Sequence, residues 1–114
     1  MRDDAQRLAD IAAAARAIGE HLDRGSLSDG LVFDAVRIRL IEIGEAVKAI
    51  SPEVLSGEPA VAWQDIAGMR YHLAHRYFDT DHVIVAATIE HDLPPLVAAI
   101  ERLGEALERD DQIQ

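Results

Sequence analysis

An all-α chain folded as an up-and-down four-helix bundle is predicted by three features of the sequence: four apolar runs at three- and four-residue spacing, no sustained alternation with period two, and long apolar seams with few aromatics. Val83 to Ala86 alone has a strand-like composition, and it is short. The 114 residues fit one domain spanning 1–114. A chain of that size buries roughly two thirds of its unfolded surface and needs no staples.

The elements follow from the spacing. Leu8, Ile11, Ala15, Ile18 and Leu22 form one face of a first helix of about five turns, ended by Gly25 after Arg24. Ser28 or Asp29 caps a second, in which Val36, Leu40, Ile43, Val47 and Ile50 repeat the pattern until Ser51-Pro52 stops it. Gly44, in the middle of that helix, lets another backbone come close. Residues 51–62, with two Pro, one Gly and two Ser, read as a connector rather than a helix. A third helix runs from Trp63 to about Phe78, and Asp79-Thr80-Asp81 reads as a break and N-cap. Ile89, Leu93, Leu96, Ile100, Leu103 and Leu107 define the fourth, kinked at Pro94-Pro95, with a polar tail from Glu108 to Gln114 that is expected to fray. A seam left over on so small a bundle suits a second copy, so a two-fold homodimer is expected.

Charge narrows the chemistry. The formal net charge of −10 excludes a broad nonspecific nucleic-acid surface, which needs clustered Lys and Arg to displace counterions. The acids are unevenly placed, in Met1 to Asp10, at Glu42 and Glu45, and in Glu101 to Asp111. Between Ile66 and Phe78 there are two Arg, two His and no acid, which leaves room for a local basic cleft. With no cysteine there is neither a disulfide framework nor a thiolate zinc site. Residues 1–10 lack the apolar core of a signal peptide, and no apolar run approaches membrane-spanning length, so a cytoplasmic chain without membrane contact is expected.

The segment Arg70-Tyr71-His72-Leu73-Ala74-His75-Arg76-Tyr77 carries the candidate chemistry. Trp63, Ile66, Arg70, Leu73 and Tyr77 form a stripe on which one cation interrupts an apolar seam. A guanidinium there loses water when the seam is covered, unless an anion, a partner chain or a ligand answers it. RNA cleavage without a metal needs a group to take the 2′-hydroxyl proton, one to protonate the leaving oxygen, and one to hold the phosphorane charge. Imidazole titrates near neutrality and suits the first two tasks, while a guanidinium offers a charged planar fork to phosphate oxygens. His75 and Arg70 are the candidates, with His72 and Arg76 as further phosphate contacts. Five residues turn a helix by about 140°, so one helix does not bring Arg70 and His75 to one face. A dimer crossing its third helices would gather both from each copy around one phosphate.

These residues resemble the signature of the HepT-like toxins of the HEPN superfamily: Arg, four to six residues, His, one residue, Tyr, here Arg70-YHLA-His75-Arg76-Tyr77. The segment RIRLIEIGEAVKAIS (Arg37 to Ser51) resembles the family's second-helix motif, and Trp63, the run HRYFDTD and the later DLP (Asp92 to Pro94) match as well. The resemblance implies a HEPN-like four-helix bundle and a metal-independent endoribonuclease, homodimeric and without cofactor, in which Arg70 and His75 carry the chemistry. It also implies a minimal nucleotidyltransferase antitoxin as partner, which neutralises the toxin by transferring AMP onto the signature tyrosine, here Tyr77. That modification adds bulk and negative charge where an RNA phosphate would sit. Tyr71 stands where the family more often carries Asn or Asp, and Glu45 is then the expected partner of Arg70.

Plainer readings stand beside these. Arg70 would form an interhelical ion pair with Glu42 or Glu45, His75 would be a satisfied histidine, and Tyr77 a core-edge aromatic. His72 and His75, with Asp79, Asp81 and His82, have the composition of a metal site. The whole domain could be a non-catalytic helical adaptor or nucleotide-binding partner of a nucleotidyltransferase, which its acidity suits.

Overall fold

A computed structural model describes residues 2–74 and 78–113. The first helix, α1 (Asp4–Arg24), begins at a capping box in which Asp3 accepts from the Gln6 amide and the Gln6 side chain accepts from the Asp3 amide, both at 2.8 Å. It stops at Gly25 as the sequence requires. Leu8, Ile11, Ala14 and Ile18 form its buried face. Asp29, rather than Ser28, caps α2 (Gly30–Ala49), accepting from the Leu31 amide at 2.9 Å.

Residues 51–62 are not all connector. Pro52–Leu55 forms a short helix, α3, because proline's fixed φ is suited to the first helical position. This corner is tied in two directions. Ser51 donates through its amide and hydroxyl to the two Asp4 carboxylate oxygens, at 3.1 and 2.6 Å. The Trp63 indole N–H donates to the carbonyls of Leu55 and Glu58, at 3.1 and 3.0 Å, and Glu58 pairs with Arg102 at 2.7 Å.

The third sequence helix, α4, is described from Trp63 to Ala74, and its expected continuation through residues 75–77 lies outside the described residues. The next helix, α5 (Phe78–Ala87), takes in Asp79, Thr80 and Asp81, which the sequence suggested as a break. Low helix propensity is a weak prior, and packing of α5 against α2 outweighs it. Val83 to Ala86 is likewise helical. The kink anticipated at Pro94-Pro95 takes the form of a π-helical turn just before them, Thr88–Asp92, leading into α6 (Leu93–Ile113). The Leu93 amide reaches back five residues to the Thr88 carbonyl, and the buried Thr88 hydroxyl donates to the Ile84 carbonyl at 2.7 Å. The widened turn absorbs two residues that have no N–H to offer. Helix continues to Ile113 through the tail expected to fray.

The helical stretch His82–Gln112 is 31 residues long, which at helical rise is about 46 Å and nearly the full 49 Å length of the molecule. By length, and by the mean hydropathy of 1.5 of one 18-residue window within it, this stretch passes the composition test for a membrane span, as the core helix of a globular protein also can. It is also the helix whose α5 and α6 portions pack on α2 and α1. Its direction follows from its ends: His82 stacks on Phe33 near the start of α2, ring centroids 4.0 Å apart, and Arg102 meets Glu58 beyond the end of α2. It therefore runs parallel to α2. α1 and α4 run the other way, which gives the up-and-down order that the spacing predicts. No strand occurs among the described residues.

Candidate functional site: the C-terminal turn of the fourth helix

Helix α2 lies at the centre. It packs against α1 and α4, and its buried residues fall on two overlapping stripes: Val36, Leu40, Ile43 and Val47, and Phe33, Arg37, Leu40, Gly44 and Val47. The second stripe faces α4. A Cβ placed on Gly44 would stand 2.9 Å from the Ile66 carbonyl oxygen and 3.2 Å from the Arg70 amide nitrogen, so α4 can lie this close only on glycine. Two turns earlier on α2, Arg37 Nη1 donates to the Leu73 carbonyl at 2.6 Å. The pairs 37 with 73 and 44 with 66 make the two helices antiparallel, joined at points seven residues apart on each.

Arg70 stands between these contacts. Ile66, Met69 and Leu73 are buried around it, and Arg70 itself is half-buried at the edge of their seam. The predicted ion pair is not formed. Glu42 is engaged by Arg39 of its own helix at 3.2 Å, and Glu45 makes no ion pair among the described residues. Arg70 has neither hydrogen bond nor ion pair with any described residue. A guanidinium held on a rigid helix, half in water and uncommitted to protein anions, is suited to accept a phosphate.

His72 is exposed on the far side of the turn, its ring 6.1 Å from that of Tyr71 and edge-on to it. Tyr71, 68% exposed, points outward and is not packed into the seam. His75, Arg76 and Tyr77 lie outside the described residues, as do the side chains of Asp79 and Asp81. Among the described residues no three His, Asp or Glu side chains converge as metal ligands do.

The sequence misplaced the buried cation. It is Arg37, 7% exposed, and not Arg70, that an apolar seam takes out of water. The signal was present, since Phe33, Arg37, Leu40, Gly44 and Val47 keep helical spacing as faithfully as the stripe chosen from the sequence. Reading only the purely apolar stripe hid the second packed face. Three chain segments meet here: the start of α2 touches the start of α5 through Phe33 and His82, and the end of α4 through Arg37 and Leu73. Around this end stand exposed apolar side chains from each segment, Leu31 and Ile38 on α2, Tyr71 on α4 and Val83 on α5.

Residues 7–103 match the HepT-like family, described as Ribonuclease HepT-like. Among curated proteins the chain is 33% identical over 76 residues to "Putative RNase MJ1216" of Methanocaldococcus jannaschii, covering 66% of this chain and 63% of that protein. It is 36% identical over 72 residues to "Putative RNase MJ0125" of the same organism, covering 62% of each. With "Probable ribonuclease HepT" of Thermococcus cleftensis it shares 34% identity over 100 residues, covering 84% of this chain and 91% of that protein. The alignments with the two Methanocaldococcus proteins thus span somewhat under two thirds of their lengths. No solved structure matches the chain. The all-α bundle, the Arg70-x4-His75-x-Tyr77 spacing and a match over most of the chain agree, and the chain belongs to the HepT-like ribonuclease family.

Proposed function

We propose that this protein is a metal-independent endoribonuclease toxin, cytoplasmic and homodimeric, in which Arg70 binds the scissile phosphate and His75 moves the proton. The observation that carries the reading is Arg70 itself: half-exposed on a helix fixed by Gly44 and Arg37, with no protein anion among the described residues to neutralise it. In the reaction, the ribose 2′-hydroxyl gives up its proton and attacks the adjacent phosphorus. The P–O5′ bond breaks, and the departing oxygen takes a proton. His75 serves as base or acid, Arg70 holds the charge that accumulates on the phosphorane oxygens, and Arg76 and His72 contact flanking phosphates. Two copies meeting at the end where Leu31, Ile38, Tyr71 and Val83 are exposed would bring both sets of groups to one strand.

Regulation falls to Tyr77. A minimal nucleotidyltransferase antitoxin transferring AMP to its hydroxyl would add a phosphodiester anion to the signature segment, which would compete with RNA for the cations there. Mass spectrometry of the chain expressed with such a partner would show Tyr77 heavier by one AMP.

Arg70→Ala and His75→Ala are each expected to lower RNA cleavage by at least about 100-fold, consistent with loss of a phosphate clamp or a general acid–base. Helical content by circular dichroism should stay at the parent level. Cleavage by the parent should persist in the presence of a chelator and yield a 2′,3′-cyclic phosphate. Parent-rate cleavage by either variant would remove the assignment. The net charge of −10 favours one other reading, an adaptor that binds a nucleotidyltransferase without cutting RNA. Expression of the chain alone decides between them, since the toxin arrests growth and the adaptor does not.

A further inference from the structure

Arg37 is the charged side chain most fully withdrawn from water among the described residues, and the chemistry above gives it no task. Its Nη1 hydrogen bond to the Leu73 carbonyl crosses from α2 to the last turn of α4. A guanidinium withdrawn from water that donates to a carbonyl holds it by a charge-assisted hydrogen bond, stronger than one between neutral groups. Leu73 lies three residues after Arg70, on the same face of α4, and His75 follows two positions later in the chain. Gly44 presses against the same helix at Ile66 and Arg70. A helix gripped at one point can slide or turn about it, whereas grips two turns apart fix both its axial position and its rotation.

We propose that Arg37 is a positioning residue for the candidate site: by holding the Leu73 carbonyl it sets where Arg70 stands. The inference rests on the reading of Arg70 as the phosphate-binding group. An alternative role is stability alone, as for any residue of the core. The two differ in what a substitution does to molecules that remain folded.

The test uses the full chain and three variants: Arg37→Met, which keeps the length and removes the donor; Arg37→Lys, which restores a cationic donor; and Val36→Ala, which opens the core one residue away without touching the Leu73 carbonyl. RNA cleavage is measured well below each Tm. For Arg37→Met, kcat is expected to fall about 10- to 100-fold with KM within a few-fold, since a misplacement of about 1 Å is enough for a loss of that order. Arg37→Lys should recover at least part of that loss, and Val36→Ala should keep the parent kcat at a lower Tm. Parent kcat in folded Arg37→Met, or an equal loss in Val36→Ala, overturns the proposal. Should Arg37→Met not fold, Arg37→Gln, with a neutral donor on a shorter arm, is compared with Val36→Ala in the same way. If the parent cleaves no RNA, the ribonuclease reading falls by itself, and positioning is then read from amide hydrogen exchange. Arg37→Met should speed exchange selectively at residues 70–74, and a uniform increase along α4 and α2 would count against it.

Discussion

At the residue scale, two arginines exchange the roles that spacing assigns. Arg70 sits on an otherwise apolar stripe, and yet the seam closes beside it without covering it. Arg37, flanked by Val36 and Ile38 in sequence, is covered because α2 buries two faces, one of them against α4. A polar residue with helical spacing to a mid-helix glycine was the legible sign, since a glycine that admits a backbone also draws its neighbours into contact. The Glu58–Arg102 pair is a second residue-scale feature that sequence does not reveal, as its members are 44 positions apart. Hydrogen bonding to Arg102 holds the Glu58 carboxyl below its ordinary value. A carboxyl whose folded value is depressed adds stability that is complete above its unfolded value and fades as pH falls through the folded one. Arg102→Ala should therefore return the Glu58 titration, followed by NMR, to the ordinary carboxylate range. It should also lessen the loss of stability on acidification, with little change in fold, because Arg102 is solvent-exposed.

At the scale of elements, capping chemistry was read directly from the sequence, because the atoms that end a helix are within a few residues of it: Asp29 before α2, Gly25 after α1, Pro52 after α2. Errors arose where local preference competed with packing. Asp79-Thr80-Asp81 looks like a cap and is helix, and the proline pair that looks like a kink is served by a π turn that begins six residues before Pro94, at Thr88. Contact between α2 and α4 is the element-scale feature on which the site depends. Gly44→Ala would put a methyl group 2.9 Å from a backbone oxygen that has no rotamer to move, so α4 must shift as a body. We expect a loss of about 1–3 kcal/mol in denaturant unfolding, the usual range for overpacking, with a fall in RNA cleavage larger than the population of folded chain explains. Unchanged stability would mean that the helices are not in the close contact described.

At the scale of the whole molecule, four long helical passes form an up-and-down bundle 49 Å long, with the third pass ending at the candidate site and the last beginning beside it. Leu31, Ile38, Tyr71 and Val83, in the segments that meet at that end, are exposed, Val83 by 71%. Sedimentation should give twice the 12.5 kDa of the chain, and Val83→Glu should shift the mass toward one copy while lowering cleavage in parallel. Cleavage that survives full dissociation would place the site within one protomer.

The sequence by itself determined the helical class, the order of the passes, three of the helix ends and the signature Arg70-x4-His75-x-Tyr77, since periodicity, capping and motif spacing are properties of residues close together in the chain. Only the tertiary structure decided which cation is buried, which acid pairs with which base, and that Gly44 and Arg37 together hold the helix bearing Arg70. These depend on groups 22 to 44 residues apart, whose desolvation and hydrogen bonding are settled by which faces meet, and helical spacing alone leaves more than one face available.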